Sequence, residues 1–194
     1  MMRCLTTLAA SVLLCAGLGS CSSQPARFYT LSSAAAETKS PLAVSVSVGP
    51  VTIPAIDDSA LIMLTVAPNE VRPNDFARWA SPLPDNIARA VAGNLVALLG
   101  TTRVTLASET SGLPPDYRAA VAVQRFESVP GQAATLDAIW TVRRTADGMV
   151  RVGRSTVREP CRGSDISALA AAHSLAVTRL SEDIAGAIRT QAGT

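Results

Sequence analysis

The feature that most constrains the fold is a long apolar stripe near the C-terminal end of the sequence. Between residues 166 and 188, apolar side chains and one histidine recur every three or four positions: Ile166, Leu169, His173, Val177, Leu180, Ile184 and Ile188. This spacing places them on one side of an α-helix. Ser164 and Asp165 are typical of a helix start, and Arg189 suits the negative end of the helix dipole. The pattern predicts a long final helix with one buried side.

Three runs that precede this helix predict β-strands. Residues 117–126 are apolar at nearly every position, which is typical of a central strand covered on both faces. In the next run, polar residues alternate with one apolar set: Ala134, Leu136, Ala138, Trp140 and Val142. Ala146-Asp147-Gly148 predicts a hairpin turn, after which residues 149–157 return as the partner strand.

The N-terminal half of the domain predicts two strands, a helix and one more strand. Val44, Val46 and Val48 alternate with serines, Gly49-Pro50 indicates a bulge or bend, and residues 60–66 form a second strand. Residues 68–75 are predicted as a polar loop. Ser81-Pro82 favours a helix start, a stripe at Ile87, Val91, Leu95 and Leu98 follows, and Gly100 ends it. With a short strand at 104–106, the order is ββ-α-β-βββ-α. We expect one α/β domain, a mixed β-sheet with two long helices packed on it.

The first twenty residues predict a secretory signal peptide, with a short basic start, an apolar run too short to span a bilayer, and small residues. Leu18-Gly19-Ser20-Cys21 resembles the bacterial lipobox, which implies cleavage after residue 20 and lipid attachment at Cys21. The alternative is an ordinary signal peptide with a chance cysteine. Lipoproteins with Asp after the cysteine tend to stay in the inner membrane, so Ser22 favours the outer membrane. We expect a tether over 21–41 and a domain over 42–192. Residues 28–31 are the exception and predict a strand or plug on the domain.

Composition and motifs argue against several function classes. The chain has 17 basic residues, one of them Arg3 in the signal peptide, and 15 acidic ones, so a general nucleic-acid binder is not indicated. Cys161 is left without a disulfide partner once Cys4 and Cys15 are cleaved off and Cys21 is acylated. His173 has no cysteine or second histidine to complete a metal cluster. Phosphate-loop and nucleophile-elbow motifs are missing. The sequence predicts neither catalysis nor a cofactor.

Two groups of residues are candidates for contact surfaces. Arg143, Arg151 and Arg154, with Arg144 and Arg158, cluster on the last hairpin and suit lipid headgroups or an acidic partner. The alternative is an edge strand protected by charge. Phe28, Tyr29, Arg78 and Trp79 are candidates for partner contact. For Trp79 the alternative is a place in the core.

Together these segments resemble the ABC-type transport auxiliary lipoprotein family, the PqiC-like group. The resemblance covers most of the chain after the lipobox. It rests on Phe28-Tyr29-Thr30-Leu31, on Val48-Gly49-Pro50-Val51-Thr52-Ile53-Pro54, on Arg78-Trp79-Ala80-Ser81-Pro82-Leu83 with Asn94-Leu95, and on residues 117–126, 136–140 and 171–173. The family often has an aromatic or Leu-rich stretch followed by Arg after the Ile-Pro pair. Here residues 55–58 and 63–65 replace it, so the resemblance implies no partner contact at these positions.

The resemblance implies a function without catalysis. It implies an accessory lipoprotein on the periplasmic face of the outer membrane, which docks an MCE-domain protein of a phospholipid-transporting ABC system. The implied partners are that MCE-domain protein and its inner-membrane permease and ATPase, with a possible homo-oligomer such as a ring. Two alternatives stay open. One is a regulator of another cell-envelope machine, and the other is a lipid-binding module with an apolar pocket between the sheet and the last helix.

Overall fold

The structure, a computed structural model, describes residues 24–109 and 113–193. It contains eight strands and two helices within these residues. In chain order they are β1 Arg27–Tyr29, β2 Val46–Thr52, β3 Leu61–Ala67, β4 Glu70–Trp79, α1 Leu83–Leu99, β5 Val104–Leu106, β6 Tyr117–Val129, β7 Ala133–Arg144, β8 Val150–Pro160 and α2 Ile166–Ala192.

The strands form two sheets. The large sheet has the order β5-β2-β6-β7-β8, in which β2 runs parallel to β5 and β6, and β6, β7 and β8 are antiparallel neighbours. The small sheet has the order β1-β4-β3, and β3 also contacts β6. Both helices pack against the large sheet and against each other. The predicted α/β class and the order of the predicted elements are confirmed, and the structure adds strand β4 and the division into two sheets.

The helix boundaries follow the predicted pattern with one exception. Gly100 ends α1 in the left-handed conformation, with φ of 65°, and Asp165 accepts a 2.7 Å hydrogen bond from the Ala168 amide at the start of α2. The predicted Ser81 cap is wrong, because Pro82 occupies the cap position and no described side chain caps α1 there. Proline lacks an amide hydrogen and has a fixed φ, so it suits a helix start without a side-chain cap.

The core lies between the helices and one face of the large sheet. Its completely buried members come from both layers: Val46, Ile87, Val91, Leu95, Ala119, Leu136, Ala138, Val142, Val177, Leu180, Ile184 and Ile188. Each buried Val, Leu or Ile contributes about 1.5–3 kcal/mol relative to exposure, so this layer is the main source of stability. Trp140 lies so close to Gly153 that an added Cβ would be 2.1 Å from its ring, which requires glycine there.

Two predictions about strands are wrong. Residues 68–75 were expected to form a loop, yet β4 begins at Glu70 and pairs with β3. Its first residues are polar because they are solvent-exposed, so backbone pairing rather than an apolar pattern defines this strand. The second error concerns β6, which is covered on one face only. Arg118 and Gln124 on its other face are exposed, and Ala120 and Ala122 are half-buried, because the helices pack on the opposite side.

The predicted strand or plug at residues 28–31 is confirmed as β1, followed by buried Leu31. The tether prediction is wrong from Arg27 onward, because the chain then runs across both helices. The Asn94 Oδ1 atom of α1 accepts hydrogen bonds from the Ala34 and Ala35 amides, at 2.9 and 3.1 Å. The Ser174 hydroxyl of α2 accepts one from the Ser32 amide, at 3.1 Å. Leu31 packs in the core, and from Ser32 onward the segment is small and polar because its backbone amides attach it to the helices. Residues 1–23 lie outside the described part of the chain, so the signal peptide and the lipid at Cys21 stay predictions.

We predict that Asn94→Ala detaches this segment from the helices. Asn94 is fully buried and also donates to the Ser181 hydroxyl at 3.2 Å, so the variant leaves several buried polar groups without partners. We expect a loss of about 1–3 kcal/mol in the free energy of unfolding, with faster hydrogen exchange at residues 31–38. Val96→Ala, at a partly exposed position of the same helix, is the control. Unchanged exchange at residues 31–38 would contradict this assignment.

Candidate functional site

The single histidine lies in the core, beside a serine. His173 is completely buried, and its Nε2 atom lies 2.8 Å from the Ser128 hydroxyl. The imidazole stacks on Phe126 with ring centroids 3.9 Å apart, and Trp79 meets it edge-on at 6.3 Å. Nδ1 has no hydrogen-bond partner among the described residues. A catalytic serine needs an oriented histidine and access to substrate. Here no described group holds Nδ1 to orient the ring, and both side chains are buried away from substrate. His173 is the hydrogen-bonded core residue that the sequence predicts.

Burial lowers the pKa of His173 to about 3, so the imidazole is neutral in the folded protein at neutral pH. A histidine with a lowered pKa contributes its full stability above the unfolded value of about 6.5, and that contribution is lost as pH falls towards 3. Asp57 acts in the opposite direction. Burial raises its pKa to about 6, so its protonation favours the folded state as pH falls from about 6 to about 4.

We therefore predict that His173→Phe removes a pH dependence that the native protein has. On going from about pH 7.5 to about pH 4.5, the unfolding free energy of the native protein should fall by about 2–3 kcal/mol relative to the variant. Asp57 is present in both proteins, so its contribution cancels in this difference. Denaturant titration at both pH values measures the effect. Parallel pH profiles would show that His173 does not control the acid sensitivity.

The described residues show no other assembled chemical centre. In residues 24–109 and 113–193, no three His, Cys, Asp or Glu side chains come together as a metal site requires. Cys161 is half-buried against Ala134, Leu169 and Ala172, and this burial raises the pKa of its thiol, which disfavours the nucleophilic thiolate. None of the described helices is long and apolar enough to cross a membrane.

The helices leave one side of the large sheet uncovered, and we call this side the open face. Its members lie on β6, β7 and β8: Arg118, Ala120, Ala122, Ile139, Thr141, Arg143, Val150, Val152 and Arg154. Val152 is 63% exposed. Arg118 and Arg143 are direct neighbours across β6 and β7, and neither has an ion pair with a described residue. The open face therefore combines exposed aliphatic side chains with uncompensated positive charge.

The arginines of the last hairpin do not act as one group. Arg154 forms two hydrogen bonds with Asp137, at 2.8 and 2.5 Å, and these hold the pKa of that carboxyl below its usual value. Arg144 pairs with Asp147, lowering the Asp147 pKa to about 2, and donates to the Gln191 carbonyl of α2. Both therefore have structural partners within the domain.

Arg143 and Arg151 lie on opposite faces of the last hairpin. Arg143 belongs to the open face, whereas Arg151 opposes the buried Val142 on the helix side of the β8 edge. Sequence reasoning missed Arg118, because it lies in an otherwise apolar run. The signal that identifies Arg118 is its register with Arg143.

The four residues predicted for partner contact divide between two sides of the small sheet. Phe28 pairs with Arg78 in register and both are exposed, Phe28 by 65%. Tyr29 is half-buried opposite Trp79, which is 5% exposed and meets Phe126 edge-on at 6.0 Å. Trp79 therefore lies in the core, as one of the two interpretations expected. Phe76, 46% exposed and two residues before Arg78, directly follows the predicted loop and was missed.

The space between the large sheet and α2 is filled by buried side chains, among them Leu136, Leu180 and Ile184. An apolar pocket was expected there for a lipid-binding module. A groove of about 500 Å³ opens elsewhere, beside β5, where Val46, Arg103, Thr105 and Asp116 line part of it.

Comparison with known proteins identifies the class as an auxiliary component of ABC-type transport. Residues 29–185 match the family model for the ABC-type transport auxiliary lipoprotein component, and the chain belongs to this family. Membership assigns it to the membrane-anchored lipoproteins of the cell envelope that assist a transporter. The matched region begins at Tyr29, so it includes most of the N-terminal segment that lies on the helices.

Solved structures support the fold. A Xanthomonas campestris protein described by the family model DUF330 is 24% identical, with a TM-score of 0.69 over 87% of this chain and 100% of its own. A crystal structure of an uncharacterized protein is 17% identical, with a TM-score of 0.69 over 85% and 99% of the two chains. A PelC dodecamer from Paraburkholderia phytofirmans is 16% identical over 79% of this chain and 88% of its own. Its TM-score of 0.40 is too low to support a shared fold. No curated protein matches the sequence.

Proposed function

We propose that the protein is an outer-membrane-anchored periplasmic accessory lipoprotein of an MCE-type ABC transport system that moves phospholipid between membranes. On this proposal it acts by docking partner proteins and carries out no reaction. Its partners are the periplasmic MCE-domain protein and, through it, the inner-membrane permease and ATPase. The observation that carries the proposal is the family membership of residues 29–185, together with an open face that none of the described helices covers.

The open face supplies the chemistry for docking. Like charges directly opposite each other on neighbouring strands are destabilising, and Arg118 and Arg143 have this arrangement. An acidic surface on a partner would relieve that repulsion and would also cover the exposed Ile139 and Val152. Arg151 lies on the helix side of β8, the edge strand of the large sheet, and forms a second exposed positive position next to the open face. We therefore assign partner contact to Arg143 and Arg151 and add Arg118, whereas Arg154 mainly holds Asp137.

The lipid anchor supports the location. Leu18-Gly19-Ser20-Cys21 has the form of a lipobox, and Ser22 rather than Asp follows the cysteine. Two or more acyl chains hold a protein firmly on a bilayer, since each buried methylene contributes about 0.8 kcal/mol. We propose that Cys21 carries these chains on the periplasmic face of the outer membrane.

Charge reversal on the open face tests the docking proposal. We expect an MCE-domain protein to co-purify with the full-length lipoprotein in gentle detergent, and its recovery to fall strongly for the double variant Arg118→Glu, Arg143→Glu. Arg89→Glu, at an exposed position of α1, is the matched control and should keep normal recovery. Equal recovery of the MCE-domain protein with the native lipoprotein, the double variant and the Arg89→Glu control would exclude the open face as the docking surface. Recovery of a cell-wall enzyme instead would favour a regulator of another envelope machine, and a tightly bound lipid would favour a lipid-binding module.

Removal of the acylated thiol tests the anchor separately. We predict that Cys21→Ala releases the protein into the soluble periplasm, because the acyl chains are the proposed source of membrane affinity. Cys161→Ala should stay in the membrane fraction, since this thiol is half-buried within the fold. Fractionation followed by salt washing measures both. A Cys21→Ala protein that still pellets after salt washing would contradict the lipid anchor.

A further inference from the structure

The small sheet carries an exposed surface that the docking proposal does not use. We call it the aromatic face and define it by Phe28, Phe76 and Arg78. Phe28 is 65% exposed and Phe76 is 46% exposed. Single exposed apolar residues are ordinary, but two phenylalanines beside an arginine on neighbouring strands form a continuous amphipathic patch. Arg78 is exposed and has no ion pair within the described ranges.

The position of this face relative to the proposed anchor identifies what covers it. Cys21 precedes Arg27 by six residues, which span at most about 20 Å when fully extended. The connection from Cys21 to Arg27 can lengthen only if β1 separates from β4, with which it is paired in register. The segment that follows is fixed as well, since Asn86 Oδ1 accepts from the Thr30 hydroxyl at 2.7 Å and Asn94 holds residues 34 and 35. A lipid on Cys21 therefore keeps the aromatic face close to the membrane surface.

We infer that the aromatic face binds the phospholipid headgroup layer of the leaflet that holds the anchor. Phe28 and Phe76 enter the boundary between headgroups and acyl chains, as aromatic side chains of interfacial segments do. The guanidinium group of Arg78 pairs with lipid phosphates. This inference rests on the proposed lipid at Cys21. It replaces the expected partner contact of Phe28 and Arg78 with a membrane contact.

Membrane contact at this face would also fix the orientation of the domain relative to the bilayer. Trp79, next to the aromatic face in sequence, touches His173 near the start of α2, whereas Arg144 at the last hairpin contacts Gln191 near its end. The 18 residues from His173 to Gln191 extend about 27 Å along the helix. The hairpin turn therefore lies far from the aromatic face, at the other end of α2.

Depth-dependent fluorescence quenching tests this inference on the acylated full-length protein in vesicles of phosphatidylethanolamine and phosphatidylglycerol. Phe28→Trp and Phe76→Trp each add one emitter to the two native tryptophans, Trp79 and Trp140, both of which are buried. Val152→Trp, on the open face and 63% exposed, is the matched control. We expect acyl-chain-brominated lipids to remove most of the added emission of the Phe28→Trp and Phe76→Trp proteins and little of the control's.

Quenching of both variants no stronger than that of Val152→Trp would overturn the inference while leaving the anchor intact. An unquenched emission that shifts to shorter wavelength as the protein density rises would overturn it in favour of contact between copies of the chain. Mass spectrometry of the N-terminal peptide separates these results from failure of the premise. A peptide without acyl chains would overturn the anchor, and this inference with it.

Discussion

The burial of α2 against the large sheet is the interaction on which the rest of the structure depends. Its stripe from Leu169 to Ile188 is buried over nearly its whole length, against the inner faces of β6, β7 and β8. Because α1 packs beside α2 on the same side, neither helix of the described residues covers the other side of the sheet. The open face is therefore a direct consequence of where the apolar residues lie in the sequence.

The pairing of the helices creates a second requirement. Near the contact between the two helices, each helix carries polar side chains that the N-terminal segment covers. Asn86, Asn94 and Ser174 are buried in this way. Buried polar groups need hydrogen-bond partners, and the Thr30 hydroxyl and the backbone amides of residues 31, 32, 34 and 35 supply them. Gly93 permits this close approach, since an added Cβ would lie 2.9 Å from the Ser33 hydroxyl. The N-terminal segment thus completes the domain, which agrees with a family match that begins at Tyr29.

The parts of the fold that depend on apolar burial were predictable, and the parts that depend on backbone or register were not. The α2 stripe, the hairpin turn and the bulge near Gly49 follow from side-chain patterns in the sequence. The first residues of β4 are exposed and give no apolar alternation, although its partner β3 directly precedes it. The docked segment is largely polar, and its partners lie far away along the chain. The candidate contact residues show the same division. The burial of Trp79 follows from its large apolar side chain, whereas the pairing of Arg118 with Arg143 is visible only in the strand register.

The short connection to the proposed anchor gives the domain a role that a long tether would not. With residues 21–41 free, a lipid-anchored domain would tumble and present every surface equally. Docking of the chain from Arg27 leaves at most residues 21–26 as a free connection, which restricts both height and rotation above the bilayer. A restricted orientation reduces the rotational freedom lost when a partner binds. Uncompensated arginines on a fixed open face are then already placed for a partner that approaches from the periplasm.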